Sequence, residues 1–580
     1  MASPLSRLGH LYAAPQWRFY MAGTVALIFT NIIVLEIPLL AKRIIDGMAA
    51  KQTLEQFTLV SLGIIGLGFT QVIIRSLSRI LIFWPGRTLE ASLKSDVFLS
   101  LLRAPIGRLL DFSTGDLTSR LNNDVTQLRI FFAFGALQVL NVIFISIFTV
   151  TKMASLDPTL TVLSISPMMV MLVLTKAVMP KLYVSMRENT EALGRLTGKV
   201  SEAFSQVHTI QTMNASSAIT SRLEPDNTAI FQSNLRTIWL RTLTWPIMTV
   251  LIGVSQFAIL TWGGKQIIAG SLTVGDIMAF NIYIGMLTFP FASLGIIMNV
   301  YQRAKPASER IESVKDIPPE TSNIETGTKL TQKTTEDLLQ VRNISFKWPN
   351  GRVALNDVSF TIKAQERIGI YGSIGSGKST LFNIITKLYE PTSGQIFLRG
   401  IDTARLSPAV VRDKIAYAQQ HPLLLSESIR SNLLLGCEDS DISMDRLTET
   451  AVRADILADI QKFPETWDTP IGERGIKLSG GQKQRLSLAR VLLRPAEIII
   501  LDDVLSAVDH ETEHRLIKSL LATKSALIIA SHRVSILEPC DKILVFDAGR
   551  IIAEGTYGDV KHFIERRPTA DHLTSPGGVT

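Results

Sequence analysis

Residues 372–380 combine the residue types that hold a polyphosphate. Gly372, Ser373, Gly375, Ser376, Gly377, Lys378, Ser379 and Thr380 fill the pattern G-x-x-x-x-G-K-S/T. Glycines there let backbone N–H groups curl around phosphate oxygens at a helix N-terminus. Lys378 is placed to reach the β- and γ-phosphates, and Ser379 to offer its hydroxyl to Mg²⁺. A plain Gly-rich turn has a similar composition, so the flanks decide. The run 367–371 predicts a short apolar strand leading in, and 381–385 a helix leading out. About 125 residues further on, Ile498, Ile499, Ile500 and Leu501 predict a buried strand ending on Asp502. A carboxylate delivered beside such a loop holds Mg²⁺, usually through water. An apolar strand ending in Asp is common alone; its pairing with the loop is what assigns the metal role. Between them, Leu478, Ser479, Gly480, Gly481 and Gln482 open a helix running through Arg490. Small residues at a helix N-terminus make a second anion site, or else a simple cap.

These groups need a scaffold, and the rest of the chain is unlike a soluble one. At 580 residues it exceeds one ordinary domain, with only 19% charged residues. Its mean hydropathy is +0.26 and its pI about 9.3. The net charge of +8 suits a nucleic-acid binder in principle, but the basic residues lie between apolar spans, not on one polar face. Cys437 and Cys540 both fall in the later half and imply no disulfide framework. The first apolar run lacks a cleavage site and is too long for a signal peptide, so it reads as a retained membrane helix.

Six apolar stretches, at 19–41, 57–74, 130–151, 159–179, 243–263 and 277–302, can each span a bilayer, which requires about 20 residues. Basic residues crowd the connections between the second and third and between the fourth and fifth, which are therefore read as cytoplasmic, as are both termini. The segments 89–110 and 188–213 have helical periodicity and predict membrane helices extended into the cytoplasm. From 316 the sequence turns polar, with Pro318 and Pro319.

The 478–482 stretch resembles the signature sequence of the ABC transporter family, and further motifs follow in the family's order. Trp348 matches the aromatic position that stacks on adenine, where the family more often has Tyr. Gln420 matches the glutamine that senses the γ-phosphate and helps hold the metal. Residues 469–475 look like the stretch that exporters place before the signature. Ser506 and Asp509 match the D-loop, and His532 the switch histidine. In the membrane half, 114–124 resembles the first cytoplasmic loop of six-helix exporters and 270–276 the lead into their sixth helix.

The resemblance implies a multi-domain half-transporter: a six-helix α-helical transmembrane domain of ABC exporter type, then an α/β P-loop NTPase nucleotide-binding domain. The expected divisions are 1–315 for the membrane domain, 316–337 for a linker, 338–565 for the nucleotide-binding domain and 566–580 for a disordered tail. ATP and Mg²⁺ are the expected cofactors. In the family, ATP lies between one subunit's phosphate loop and the other's signature, so a second half-transporter is implied. Membrane lipid and a small amphipathic substrate are expected partners, and nucleic acid is not. A multi-pass protein of the bacterial inner membrane, its nucleotide-binding domain cytoplasmic, is the expected setting.

One departure changes the expected chemistry. After the strand-end aspartate the family usually has Glu, which polarises the attacking water; here stands Asp503. It is shorter by one methylene, roughly 1.5 Å. Misplacing a catalytic group by about 1 Å can lower a rate on the order of 100-fold. The chain thus resembles the degenerate-site subunit of heterodimeric bacterial multidrug exporters, with a homodimer of two slow sites as the alternative. A lipid flippase, a thiol or peptide exporter, and an ATP-gated channel or regulatory subunit are the rival functions. Glu36, within the first span, is a candidate for meeting cationic cargo or for lining an outer aqueous mouth. Trp245, Phe280 and Phe289 offer aromatic surface in the last two spans, as cargo contacts or as packing.

Overall fold

A computed structural model describes residues 3–50, 53–242, 244–320, 337–437, 442–472 and 475–565. Residues 321–336 of the expected linker 316–337, the tail 566–580 and positions 473–474 of the pre-signature stretch lie outside the described residues. The chain forms two compact units. One comprises the residues up to Leu102 with Phe112–Asp316; the other comprises Arg103–Asp111 with everything from Ile317.

The first unit is helical. Long helices overlie the apolar stretches: α1 (Trp17–Ala49), α2 (Leu54–Arg103), then, after the short α3 (Ile106–Leu109), α4 (Thr114–Leu156), α5 (Pro158–Ser205), α6 (Ser216–Thr242), α7 (Thr244–Ile268) and α8 (Val274–Lys315). Among the described residues, four helices are long and apolar enough to cross a membrane: Pro4–Ala49, α2, α4 and α8. The helix expected over 89–110 stops at Arg103, because Pro105 disfavours helical backbone at Ala104. The one expected over 188–213 is interrupted at Gln206, with Val207–Thr212 beyond it.

Local chemistry sets the helix starts. Asp157 caps α5 by accepting from the Leu160 amide at 2.7 Å, with Pro158 as the first helical residue. Thr273 and Asp276 form a capping box at the start of α8. Asp276 also takes Lys42 Nζ at 2.5 Å, and Asp46 accepts from the Gly275 amide and the Thr273 hydroxyl, both at 3.0 Å. One end of α1 is therefore clasped to the N-terminus of α8 by charge-assisted bonds. A second pair joins α1 to α4, with Lys152 Nζ 2.7 Å from Glu36 Oε1. Between these polar ties lies an apolar cluster of Leu35, Met153, Leu160, Ile259, Phe280, Tyr283, Ile284 and Leu287. The buried Tyr283 hydroxyl donates to the Leu35 carbonyl at 2.9 Å. Phe280 is a packing residue in that cluster, Phe289 is exposed, and the side chain of Trp245 lies outside the described residues.

The second unit is α/β. A six-stranded sheet has the order β10-β9-β3-β8-β7-β6, built from β3 (Arg367–Gly372), β6 (Ile415–Ala418), β7 (Ile498–Asp502), β8 (Ala526–Ala530), β9 (Lys542–Asp547) and β10 (Arg550–Gly555). All pairings are parallel except β10 on β9. β7 and β8 are buried at every position, as continuous apolar runs in a doubly covered parallel sheet must be. A separate four-stranded antiparallel sheet, β2-β1-β4-β5, uses β1 (Asp337–Lys347), β2 (Val353–Lys363), β4 (Ser393–Leu398) and β5 (Ile401–Asp402). Helix α9 (Lys378–Ile385) follows β3 and buries Leu381, Phe382, Ile384 and Ile385 among the inner faces of both sheets.

The clasp between α1 and α8 depends on close backbone approach. A Cβ on Gly275 would lie 2.6 Å from Asp46 Oδ1 and 2.7 Å from the Lys42 carbonyl oxygen. Gly275→Ala should destabilise the membrane unit by about 1–3 kcal/mol, as overpacking does. Gly253→Ala, where an added Cβ meets nothing, is the control. Thermal inactivation in nanodiscs should occur at a lower temperature for the first variant only.

Candidate nucleotide-binding site

The parallel register brings the candidate residues to one edge. Ile370 of β3 and Asp502 of β7 both pair with Ala530 of β8, and Ala418 of β6 pairs with Leu501. The segments leaving those strands carry the phosphate loop, Asp503, His532 and Gln420. This is the carboxyl edge, where open α/β sheets bind ligands. A cavity of about 240 Å³ opens there, lined by Trp348, Arg352, Gly375, Gly377, Lys378, Ser379, Thr380, Gln420, Asp502, Asp503 and His532 among others.

The loop's shape is forced by its neighbours. Gly375 and Gly377 have φ of +82° and +107°, the region that side chains avoid. A Cβ on Gly377 would also lie 2.6 Å from the Ala354 carbonyl oxygen. The Ser376 carbonyl accepts from the Gly549 amide at 3.0 Å, pinning the loop to the β9–β10 turn. Lys378 is only 9% exposed, and its Nζ donates to the Gly372 and Ser373 carbonyls at 2.7 and 2.9 Å. Burial pulls its pKa down, while Asp502 and Asp503 oppose the shift. Its ammonium is thus already oriented across the loop by weak, exchangeable acceptors.

Asp502 is 3% exposed. Burial pushes its carboxyl up, opposed by hydrogen bonds from Ser379 and Tyr417. The Tyr417 hydroxyl stands 3.3 Å from Oδ2. Ser379, Asp502 and Gln420 offer hydroxyl, carboxylate and amide oxygen, a set that fits a hard cation such as Mg²⁺. Asp503 follows the strand end with φ of +51°, and its amide donates to the Ala530 carbonyl at 3.0 Å. Asp tolerates this left-handed backbone better than longer side chains do. Burial raises the Asp503 carboxyl, against a lowering by His532. The His532 ring lies 6.3 Å from that of Tyr371. Trp348 sits in the turn after β1, its amide bonded to the Arg352 carbonyl at 2.9 Å, with a half-buried ring facing the cavity.

Leu478, Ser479, Gly480, Gly481 and Gln482 do not line this cavity. They open α10 (Gly480–Leu493), where Ser479 and Gln482 form a capping box. Gly481 is required sterically, since a Cβ would meet the Ala507 carbonyl oxygen at 2.9 Å. The segment 503–509 is folded against this helix. Gln484 donates to the Ser506 hydroxyl at 3.0 Å and accepts from the Ala507 amide at 2.9 Å. Asp509 caps α11 (His510–Leu521), accepting from the Thr512 amide at 3.0 Å.

Several residues absent from the sequence reading hold the site together. Arg533, next to His532, pairs with the fully buried Glu513 and donates to the Ser506 carbonyl at 2.9 Å. Ser535 hydrogen-bonds the same carboxylate. Tyr417 and Gln484 complete the set. Adjacency to His532 is the only signal in the sequence for Arg533; the others become visible only through the fold.

Comparison with known proteins agrees with this arrangement. Residues 20–291 match the ABC transporter transmembrane region and residues 355–506 the ABC transporter domain. The chain is 30% identical to the probable multidrug resistance ABC transporter ATP-binding/permease protein YheI of Bacillus subtilis, covering 97% of this chain and 96% of that one. It is 28% identical to the multidrug resistance-like ATP-binding protein MdlA of Escherichia coli, over 94% and 92% of the two chains. It is also 28% identical to the ATP-dependent lipid A-core flippase of Methylococcus capsulatus, over 95% and 91%. A solved structure of a bacterial Atm1-family ABC exporter with ATP bound shares the fold, with a TM-score of 0.79 at 22% identity over 95% and 97% of the chains. With its membrane region and its ATPase domain fused in the exporter order, and aligned to relatives over nearly its whole length, the chain belongs to the ABC transporter family as a multi-pass membrane protein that couples ATP hydrolysis to transport.

Proposed function

We propose that this chain is one half of a dimeric exporter of the bacterial inner membrane that moves amphipathic, drug-like or lipid-like compounds, and that its own phosphate loop builds the slower of two ATP sites. The observation carrying this is the composition of the cavity: phosphate loop, Asp502, Asp503, Gln420 and His532 line it, and the signature does not. A second signature, from a partner half-transporter, is needed to close it. The relatives named for multidrug resistance and for lipid A-core flipping support the cargo class.

In this reading, Trp348 offers its ring to the adenine and the glycine-shaped loop offers backbone N–H groups to the phosphates. Lys378 leaves the Gly372 and Ser373 carbonyls for the β- and γ-phosphate oxygens. Ser379 and Asp502, with Gln420, would hold Mg²⁺, which when bound would supply positive charge against the phosphate oxygens. Asp503 is the base toward water, and His532 orients the γ-phosphate side. The Asp503 carboxylate is short for that work and sits at a backbone angle that suits it better than Glu. That favours slow turnover here and a heterodimer, with a partner carrying the competent base. The Glu36–Lys152 pair favours a structural tie near the outer mouth over an acid free to meet cationic cargo.

The pH dependence follows from burial. The Asp502 and Asp503 carboxyls titrate above the ordinary range, so both lose negative charge earlier on acidification. Mg²⁺-dependent ATP affinity should therefore weaken at a pH above ordinary carboxylate values, and Asp502→Asn should remove the part of that acid limb that Asp502 contributes.

Hydrolysis by the chain purified alone in lipid, beside Asp503→Glu, tests the function. The native chain should be nearly inactive and the variant about ten- to 100-fold faster, as expected for restoring a base misplaced by about 1 Å. Brisk hydrolysis by the native chain would make Asp503 an adequate base and a homodimer the better reading.

A further inference from the structure

The apolar stretch 57–74 stops at Arg75, yet Leu77 and residues 80–84 of α2 continue it. Contacts between α1 and α2 set the depth at which these residues lie. A Cβ on Gly23 of α1 would lie 2.5 Å from Ile82 Cγ1 and 3.2 Å from the Ile82 amide nitrogen, so the helices cross there in close contact. Nearby, Phe19 stacks on Trp84 at 6.5 Å and 28°. Trp17, Arg18 and Trp84 are residue types that mark a membrane–water boundary, and they lie toward the side read as cytoplasmic. At a rise of about 1.5 Å per residue, Arg79 lies about 8 Å and Arg75 about 14 Å beyond Trp84 along α2. Arg75 is therefore near mid-depth in a hydrocarbon core about 30 Å thick.

The face matters as much as the depth. Ser78, Ile82, Gly86, Leu89 and Leu93 of α2 are buried within the membrane unit. Arg75 precedes Ser78 by three residues and Ile82 by seven; Arg79 precedes Ile82 and Gly86 by the same steps, so both lie on that inward face. Ile73, Leu77, Ile80 and Trp84 take the opposite face and are half or more exposed, as lipid-facing residues are. Among the described residues neither guanidinium makes an ion pair or a hydrogen bond. Glu36 is the one acid within the six apolar stretches, and Lys152 holds it. Glu90, the next acid along α2, already lies within 3.5 Å of Arg87, Lys94 and Arg129. Two buried donors share this level: the Ser78 hydroxyl and the Asn31 amide nitrogen, on residues 0 and 2% exposed, both lack a partner. Asn31 stands eight residues beyond Gly23 and Arg75 seven beyond Ile82, each roughly 11 Å past the crossing.

We infer that Arg75 and Arg79, with the Ser78 hydroxyl and the Asn31 amide, bind the anionic headgroup of an amphiphilic cargo at mid-membrane depth. The inference rests on the exporter reading and narrows its cargo to phosphate-, sulfate- or carboxylate-bearing amphiphiles, against the cationic cargo expected from Glu36. Two like charges one helical turn apart repel, and in hydrocarbon each unpaired guanidinium is costly. An oxyanion relieves both costs at once. The planar guanidinium fork matches such a group, and two forks one turn apart can converge on one phosphate. The amphiphile's alkyl chain lies along the apolar face of α2 while its headgroup turns onto the arginines.

Binding of dansyl-tagged dodecyl phosphate and dansyl-tagged dodecyltrimethylammonium to the full chain in phosphatidylcholine nanodiscs tests it, read as saturable tryptophan-to-dansyl energy transfer. The parent should bind the phosphate about tenfold or more tighter than the ammonium, the worth of one charge-assisted hydrogen bond. Arg75→Gln and Arg79→Gln should each weaken phosphate binding by about tenfold and leave the ammonium unchanged. Arg75→Lys should keep the preference for the anion, and Arg87→Gln, at an exposed arginine beyond Trp84, should match the parent. Gln71→Glu keeps the inquiry open if the glutamine variants do not assemble: the near-isosteric acid, one turn before Arg75, should occupy that guanidinium and cancel the preference. Phosphatidylglycerol added to the nanodisc separates the sources of the headgroup. Competition with the tagged phosphate in the parent, absent from the Arg75→Gln variant, supports a bilayer lipid as cargo; no competition supports a separate amphiphile. A parent that favours the ammonium, or binds both equally because an acid of a second chain neutralises the arginines, overturns the inference. So does phosphate binding that survives loss of either arginine. A parent that binds neither amphiphile saturably overturns the exporter reading of the cargo itself.

Discussion

The Lys378 ammonium, held across its own loop by the Gly372 and Ser373 carbonyls, is the interaction around which the ATPase unit is arranged. A nearly buried cation needs compensation. The loop supplies it with neutral carbonyls, which a polyphosphate can replace, and the nearby Asp502 and Asp503 add long-range attraction. Every other requirement follows. The loop must bend through left-handed glycines, and the start of β2 must press on it closely enough to exclude any Cβ at Gly377. The strand that brings both carboxylates and the strand that leads to His532 must be parallel neighbours, which demands the buried apolar runs of β7 and β8.

The membrane unit solves a related problem with fixed pairs. In a low-dielectric setting an unpaired charge is expensive, so Lys42, Asp46 and Asp276 are gathered where α1 meets α8, and Glu36 meets Lys152 between α1 and α4. These bonds link different helices and not neighbours on one helix. They are therefore registers for helix packing, and any rearrangement of α1 against α4 or α8 must exchange them. The apolar cluster around Phe280 and Tyr283 lies on the same helices, which makes the polar ties and the packing one mechanical unit.

Much of the site was legible because its residues announce themselves by spacing. The phosphate loop, Asp502, the signature and His532 are local patterns, and the alternation of strand and helix around them predicts a parallel sheet with its chemistry at the carboxyl edge. The sequence reads as six spans; among the described residues four helices meet the length and apolarity needed to cross a membrane. What spacing cannot carry is contact at long range. Glu513 of α11 carries no sequence signal, yet it is fully buried and paired with Arg533. Tyr389 packs edge-on to Trp348 at 5.3 Å, a contact that no spacing in the sequence announces. Glu36 reads as a free intramembrane acid until the fold supplies Lys152. The break at Ala104 was readable from Pro105 and was missed by following periodicity alone.

The long-range contacts share a purpose that the motifs do not show. Gln484 ties the signature helix α10 to Ser506 and Ala507; Arg533 ties Ser506 to Glu513 and sits beside His532. The segment after Asp503 therefore cannot shift without moving both the signature helix and the histidine. In a dimer whose two sites each take a phosphate loop from one chain and a signature from the other, such a linkage makes the chemistry at one site felt at the second. If Asp503 is the poor base proposed above, ATP held longer at its site would keep the 503–509 segment and the attached helix α10 in one arrangement while a partner's site turned over. On the proposed reading, slow hydrolysis at Asp503 and the linkage through Arg533 belong together, since a persistent ligand is useful only where its presence is transmitted.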